Sequence, residues 1–138
     1  MRYILMAEDS EEDFEAFQRI FNRKLGVPVI RCRDGEDFLT YLTKLSDRFT
    51  EWPSLILLDL NMPGIQGLEV LTRLKNDPEL RSIPTVVFSS SSNPKDVCSC
   101  YAQGANGYMI KPINYTDLER TLRGLVEYWK TVMVLPHP

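Results

Sequence analysis

Residues 55–67 read LILLDLNMPGIQG, a run of four aliphatic residues that leads directly into Asp59 and then into Pro63, Gly64 and Gly67. A continuous apolar run bounded by turn residues is typical of a strand covered on both faces, as strands of parallel sheets are. A carboxylate that closes such a strand is costly to bury without a partner. Asp59 is therefore the first candidate functional residue.

Similar apolar runs recur along the chain, and the segments between them have helical spacing. The further runs are YILMA (3–7), TVVF (85–88), YMI (108–110) and VPVIRC (27–32), the last with a proline that suits an edge strand. The helical spacings involve Phe14, Phe17 and Phe21; Phe38, Leu42 and Leu45; Leu68, Leu71 and Leu74; Leu118, Leu122, Leu125 and Trp129; and, more weakly, Val97 and Tyr101. Five β-α repeats predict an α/β fold, a five-stranded parallel sheet with helices on both faces. Ser10 with Asp13, and Thr116 with Glu119, resemble capping boxes.

Composition excludes several classes of protein. The 138 residues suit one domain, and 16 basic against 19 acidic residues leave a net charge of −3, which argues against a nucleic-acid or anionic-membrane binder. No apolar run approaches the ~20 residues of a membrane span, and the N-terminus does not resemble a secretory signal. A zinc site is not expected, because the three cysteines (Cys32, Cys98 and Cys100) form no CxxC pair and the single histidine lies at the end of the chain. A soluble protein of the reducing cytoplasm is expected.

Polar residues follow the predicted strands at the points where they end. Glu8 and Asp9 follow the first run, Asp59 the third, Ser89 the fourth and Lys111 the fifth. Each alone has an ordinary explanation, as a helix-start acid, a turn serine or a solvated lysine. Because the carboxyl ends of parallel strands meet at one edge, however, these groups are expected to converge. Clustered carboxylates suit Mg²⁺, and a nearby ammonium and hydroxyl complete a phosphoryl site with Asp59 as its nucleophile.

This ordered set resembles the receiver domain of two-component response regulators, over residues 3 to about 128. The resemblance implies a flavodoxin-like (βα)5 fold with strand order 2-1-3-4-5, and phosphorylation of Asp59 by a histidine kinase or phosphotransfer protein. It also implies that Asp9 ligates Mg²⁺, for which Mn²⁺ or Ca²⁺ can substitute. Glu8 would contribute directly or through water, Asp59 through its carboxylate, and Asn61 through its backbone carbonyl.

Further roles are implied by the same resemblance. Lys111 contacts the phosphoryl group, and its bond to Pro112 is expected to be cis. Ser89 and Tyr108 match the two switch positions, and Ser90 matches the small residue that governs access. A packed strand tyrosine remains an alternative for Tyr108. Where the family often has aspartate, Gln66 precedes Gly67, and a local effect at a helix start is expected.

The end of the chain predicts self-association. A receiver over 1–130 is expected to be followed by an apolar extension, 131–138, without an output domain. The ending EYWKTVMVLP is similar to that of small single-domain regulators paired with bacterial phytochrome kinases, which implies such a kinase as partner and a homodimer. A tail folded back on its own domain is the alternative. The expected interface residues are Tyr128, Trp129, Val132, Met133 and Leu135.

Other functions remain to be weighed against this one. A phosphate-independent pseudo-receiver that acts as an interaction module would be expected to lack some of the site residues, and all are present. A hydrolase of the phosphoaspartate type needs an acid two residues after its nucleophile, where this chain has Asn61. A flavodoxin-like nucleotide binder needs a phosphate-cradling loop after the first strand, where this chain has acids. No enzyme activity beyond self-phosphorylation and autodephosphorylation is expected.

Overall fold

A computed structural model describes residues 1–46 and 51–136. Five strands alternate with five helices, and π-helical segments over Arg19–Lys24 and Tyr128–Val132 prolong the first and last helices. The elements are β1 Ile4–Ala7, α1 Glu11–Gln18, β2 Val29–Cys32, α2 Gly35–Leu45, β3 Leu55–Leu58, α3 Gly67–Asn76, β4 Thr85–Ser89, α4 Pro94–Ala102, β5 Gly107–Ile110 and α5 Tyr115–Glu127. Within the described ranges, no helix is both long and apolar enough to cross a membrane.

The five strands form one parallel sheet in the order β2-β1-β3-β4-β5, which confirms the predicted fold class and strand order. Strand β2, which directly follows Pro28, lies at one edge of the sheet, as predicted. In register, Ala7 lies beside Leu58, and Ser89 lies beside Ile110. The residues that follow these four positions therefore emerge at the same edge of the sheet.

Each face of the sheet carries its own hydrophobic layer. Leu5 and Ile56 point to the side of α2 and α3, whereas Ile4 and Leu57 point to the side of α1 and α5. Both faces are therefore covered, which explains why β1 and β3 are apolar at every position rather than at alternate ones. Burying both strands completely on both sides holds their carboxyl ends in fixed positions, and these ends carry the acids.

One local prediction is wrong. The helix predicted to begin with a capping box at Thr116 is instead capped by Asn114, whose side chain accepts the N–H of Asp117 at 2.8 Å. Asparagine is among the best N-cap residues, and here it precedes the helix directly. The helix that Val97 and Tyr101 weakly predict is present as α4, in which the buried side chain is Cys100 and Tyr101 is 51% exposed. The cap at Ser10 is present as predicted, with its hydroxyl accepting the N–H of Asp13.

Lys75 joins α3 to the segment before β4 and to the segment before β5. Its ammonium donates to the carbonyl oxygens of Arg81 (3.0 Å) and Ile83 (2.9 Å) and to Oδ1 of Asn106 (3.0 Å). The same Asn106 oxygen accepts the N–H of Thr85 at the start of β4. All three acceptors of Lys75 are neutral, so none compensates its charge, and burial lowers its pKa to about 8.

Replacing Lys75 by methionine is expected to destabilise the fold by about 1–3 kcal/mol at pH 7, because three acceptors, of which the carbonyl of Ile83 is partly buried, each lose a hydrogen bond. The wild type should also gain stability relative to K75M as pH rises from about 8 toward 10.5. In that window the unfolded chain, with a normal lysine pKa, binds more protons than the folded chain. Urea unfolding at several pH values measures both effects. Substituting the exposed Lys95 by methionine is the control and should change neither.

Candidate functional site

The loop between β1 and α1 supplies two acids with different environments. Glu8 is only 1% exposed, and its N–H donates to the carbonyl of Cys32 on the neighbouring strand at 3.0 Å. Its Oε2 accepts the N–H of Ser10 at 3.4 Å. Asp9, in contrast, is exposed to solvent. One carboxylate is therefore fixed inside the protein, and the other faces outward beside it.

Asp59 lies directly after β3 and is 6% exposed. Its N–H donates to the carbonyl of Ala7 at 3.2 Å, which continues the pairing of β3 with β1. Its Oδ1 accepts the N–H of Asn61 at 3.0 Å. Both the backbone and the carboxylate of Asp59 are therefore oriented by hydrogen bonds.

The three acids converge. Glu8, Asp9 and Asp59 can each offer one carboxylate oxygen such that the three oxygens lie within 4.8 Å of one another. A set of oxygen donors from carboxylates fits a hard divalent cation such as Mg²⁺. The geometry places Asn61 next to this cluster through its N–H, and the role of its carbonyl as a ligand stays a prediction.

Lys111, which follows β5, provides the positive charge of the site. Its Nζ lies 2.6 Å from Oε1 of Glu8, 3.2 Å from Oδ2 of Asp59 and 3.6 Å from Oδ2 of Asp13. Its backbone N–H donates to the carbonyl of Ser89 at 2.8 Å, so the pairing of β4 with β5 determines where the side chain begins. One ammonium thus contacts three carboxylates from three parts of the chain.

Burial and charge act against each other in this cluster. Burial raises the pKa of Glu8, and the hydrogen bond and charge of Lys111 oppose that rise. Burial disfavours the ammonium of Lys111, but its hydrogen bond to Glu8 and the charge of Asp59 outweigh that effect and raise its pKa. Lys111 is therefore positively charged at neutral pH and neutralises part of the acid cluster.

The two residues predicted as switches are connected through Ser91. Ser89 is fully buried, and its hydroxyl accepts the N–H of Ser91 at 3.1 Å. Tyr108 is partly buried against the α2–α3 layer, and its hydroxyl donates to the carbonyl of Ser91 at 2.8 Å. Any movement of Ser89 that displaces the Ser91 backbone would therefore reach Tyr108. Ser90, between them, is exposed.

The prediction of a cis bond before Pro112 is wrong, because no cis peptide bond occurs in residues 1–46 and 51–136. The bond from Lys111 to Pro112 is trans. Even for proline the trans isomer is favoured by about 0.5–1 kcal/mol, and it is the isomer that the chain adopts here. Gln66 stands at the N-cap of α3 without a side-chain capping bond, and the expectation that its effect is local stays a prediction.

The predicted interface residues lie in the π-helical segment after α5 and just beyond it. Tyr128 is 42% exposed, Val132 is 63% exposed and Met133 is 39% exposed, whereas Leu135 is half-buried. Trp129 packs against the α1–α5 layer of its own domain. Part of this segment therefore supports the domain itself, and part faces solvent.

Two residues near the site were not singled out from the sequence. The sequence indicates Asp13 only as a cap partner, although its carboxylate lies 3.6 Å from the Lys111 ammonium. Arg31 was included in an apolar edge strand, although its guanidinium contacts the loop that carries Glu8 and Asp9. A lone basic residue between Ile30 and Cys32 was the only available signal, because the contact spans more than twenty residues of sequence.

Comparison with known proteins agrees with this geometry. Residues 4–123 match the response regulator receiver domain. The chain belongs to that family. The site described above therefore occupies the receiver's sheet edge, and the predicted family is confirmed.

Relatives of this receiver include proteins from bacteria and archaea. It is 34% identical to the response regulator Rcp1 of Synechocystis over 98% of this chain and 93% of Rcp1. It is 37% identical to the probable methanogenesis regulatory protein FilR2 of Methanothrix harundinacea, over 91% of this chain and 82% of FilR2. Its structure resembles the phosphorylated cyanobacterial phytochrome response regulator RcpA, with a TM-score of 0.90, 34% identity and coverage of 99% of both chains. The Mn²⁺-bound form of Rcp1 gives a TM-score of 0.89, 34% identity and coverage of 99% of this chain and 100% of that one.

Proposed function

We propose that this receiver accepts a phosphoryl group on Asp59 from the phosphohistidine of a sensor kinase and thereby changes its partner-binding surface. The observation that carries the proposal is the environment of Asp59. A buried carboxylate at the end of a central strand lies 3.2 Å from the Lys111 ammonium and beside two further acids. An ordinary structural carboxylate does not need such a costly group of like charges around it.

The proposed step is a displacement at phosphorus. A carboxylate oxygen of Asp59 attacks the phosphorus atom, the P–N bond to the kinase histidine breaks, and the imidazole nitrogen keeps the electron pair. The product is an acyl phosphate. Lys111 already contacts the attacking carboxylate. Its ammonium is therefore close enough to stabilise the negative charge on the phosphoryl oxygens as the new bond forms. The Ser89 hydroxyl, at the end of the next strand, is the proposed donor to another oxygen.

The acid cluster is the proposed site of Mg²⁺, held by Glu8, Asp9 and Asp59 with the carbonyl of Asn61. When bound, the cation would neutralise charge that develops on the phosphoryl oxygens. Three carboxylate oxygens within 4.8 Å fit such an ion, and the Mn²⁺-bound form of the relative Rcp1 supports a divalent metal here. Mn²⁺ and Ca²⁺ are expected to substitute, since both accept oxygen ligands.

Incubation with Mg²⁺ and acetyl phosphate is expected to add the mass of one phosphoryl group to the wild-type protein. Asp59→Asn should show no adduct, because an amide is not a nucleophile for this step. Intact-protein mass spectrometry, with and without EDTA, measures both. Asp77→Asn is the matched control, since that carboxylate lies at the end of α3. A wild type that stays unmodified would favour the phosphate-independent pseudo-receiver.

The proposed kinase is a phytochrome-type light sensor. Full-length similarity to Rcp1 and RcpA, the latter a phytochrome response regulator, supports this pairing. Radiolabelled phosphotransfer from a purified phytochrome kinase and from an unrelated histidine kinase would test it. Transfer should be at least tenfold faster from the phytochrome kinase, while equal rates would contradict the pairing and leave the Asp59 chemistry intact.

We also propose that residues 131–138, of which 137 and 138 lie outside the described residues, form an apolar extension of the receiver domain (1–130), and that two copies associate through α5 and this segment. Tyr128, Val132 and Met133 are exposed apolar side chains on neighbouring turns, an arrangement that is favourable when covered. Val132→Asp or Leu135→Asp should weaken the dimer at least tenfold, as measured by light scattering across a dilution series. Thr43→Asp is the control, because Thr43 is exposed on α2, on the opposite face of the sheet from α5. A wild type that is monomeric at micromolar concentration would contradict the proposal.

The remaining features of the proposed function concern location, binding partners and catalytic activity. The protein acts in the cytoplasm, binds neither nucleic acid nor membrane, and turns over nothing except its own acyl phosphate. A net charge of −3 supports the absence of a polyanion partner.

A further inference from the structure

Arg31 is a charged side chain outside the acid cluster that several contacts hold in place. It lies on the edge strand β2, yet its side chain is only 8% exposed. Its Nε donates to the carbonyl of Glu8 at 2.8 Å, its Nη2 to the carbonyl of Asp9 at 3.1 Å, and its Nη1 to Oε2 of Glu11 at 2.7 Å. All three guanidinium nitrogens therefore bind the loop and first turn that carry two of the acids.

The guanidinium is also held from a second side. Its carbon lies 4.8 Å from the centre of the Phe14 ring, so the cation lies over an aromatic ring of α1 while its N–H groups bind the loop. Arginine alone offers a planar fork of donors for three acceptors at once, whereas lysine has a single donor atom. Arg31 thus connects β2 rigidly to the β1–α1 loop, and this set of contacts is called the brace below.

The brace matters because of how the two acids are supported. The Glu8 carboxylate is fixed directly by Lys111. Within residues 1–46 and 51–136, no side-chain hydrogen bond holds the Asp9 carboxylate, so its direction depends on the backbone. Arg31 holds the carbonyls of the two peptide groups that flank Asp9, those of Glu8 and of Asp9 itself, and thereby sets that direction.

We propose that Arg31 is a positioning residue for the divalent cation: it orients the backbone of Glu8 and Asp9 so that the three carboxylates converge before the metal arrives. The inference rests on the metal site proposed above. The opposing effect, repulsion of the cation by a positive charge, is small because Glu11 neutralises the guanidinium at 2.7 Å. Loss of groups that orient metal ligands typically weakens affinity by about 10–100-fold.

Titration with Mn²⁺, followed by the electron paramagnetic resonance signal of the free ion, tests this role directly. Arg31→Met is expected to raise the dissociation constant about tenfold or more, and Arg31→Lys, which keeps the charge but not the fork, should raise it by about 3–10-fold. Glu11→Gln keeps the brace and leaves its charge unpaired, so it should change affinity by no more than about twofold.

Arg2 provides the matched structural control. Its Nε donates to the carbonyl of Trp52 at 2.8 Å and lies 3.7 Å from Glu51, but it precedes β1 and lies at the opposite end of the sheet from the acids. Arg2→Met should lower the melting temperature, as Arg31→Met does, without changing the Mn²⁺ dissociation constant. At saturating Mn²⁺, labelling of Arg31→Met by acetyl phosphate should return to the wild-type rate.

The possible failures are distinguishable. A wild type that binds no Mn²⁺ contradicts the proposed metal site. A wild type that binds Mn²⁺ with the same affinity as Arg31→Met, or more weakly, contradicts the positioning role of Arg31 and leaves the metal site in place. A labelling deficit in Arg31→Met that persists at saturating metal also overturns the role, because positioning of the ligands should be overcome by mass action.

Discussion

Lys111→Met is expected to destabilise the metal-free receiver by about 2–4 kcal/mol and to slow labelling by acetyl phosphate at least a hundredfold. The stability loss follows from the position of Lys111. Glu8 and Asp59 are 1% and 6% exposed, and their carboxylates lie 2.6 Å and 3.2 Å from its ammonium. Without that charge, burial of two carboxylates must be relieved by protonation or by water entry, and both oppose folding.

The same substitution should make stability depend strongly on Mg²⁺. A cation bound to the acids restores part of the missing positive charge and stabilises only the folded state. Thermal unfolding of Lys111→Met should therefore shift upward with Mg²⁺ by more than that of the wild type. Lys75→Met is the matched control: its ammonium contacts neutral oxygens, so it should lose stability without any added response to Mg²⁺. Equal stability of Lys111→Met and wild type in EDTA would show that Lys111 does not compensate the buried acids.

The sheet and the convergence of the acids could be predicted because both depend on local patterns. A short apolar run followed by a polar residue occurs at every strand that enters the site, and parallel pairing places those ends together. The order of residues along the chain was therefore enough to bring Glu8, Asp59 and Lys111 together in prediction, and the structure brings the same three within hydrogen-bond distance.

Other features could not be predicted, because they depend on contacts between distant segments or on small energy differences. Arg31 and Lys75 resemble ordinary charged residues in sequence, and only the fold shows that each donates to carbonyls more than five positions away. The choice of Asn114 over Thr116 as helix cap is a difference of two positions between similar candidates. The isomer before Pro112 depends on a preference of about 0.5–1 kcal/mol, which sequence alone does not determine.

Gly67→Ala is expected to destabilise the protein by about 2–4 kcal/mol and to slow phosphorylation of Asp59 as well. Gly67 begins α3, and its N–H donates to the carbonyl of Leu60 at 3.1 Å, which closes the loop after Asp59 tightly. A Cβ at this position would lie 2.3 Å from the carbonyl oxygen of Asp59 and 2.6 Å from the Cα of Leu60. Both neighbours are backbone atoms, so no rotation of a side chain can relieve the overlap.

One of the displaced atoms, the carbonyl oxygen of Asp59, belongs to the proposed acceptor residue, and this gives the prediction a functional component. If the backbone of Asp59 moves by even a few tenths of an ångström, the carboxylate shifts relative to Lys111 and the acid cluster, and transfer that depends on alignment becomes slower. Urea unfolding measures the stability loss, and the initial rate of labelling by acetyl phosphate, at a temperature where the variant is folded, measures the alignment.

Two other glycines separate steric overlap from general effects of alanine. Gly64 lies in the same loop with φ +78°, and a Cβ there meets nothing within 4 Å, so Gly64→Ala should cost about 1–2 kcal/mol through backbone strain alone and leave the labelling rate near wild type. Gly124 lies on the exposed face of α5 with open space around it, so Gly124→Ala should stabilise the protein by about 0.5–1 kcal/mol. If Gly67→Ala proved no more harmful than Gly64→Ala, the close approach of α3 to Asp59 would not be what holds the acceptor in place.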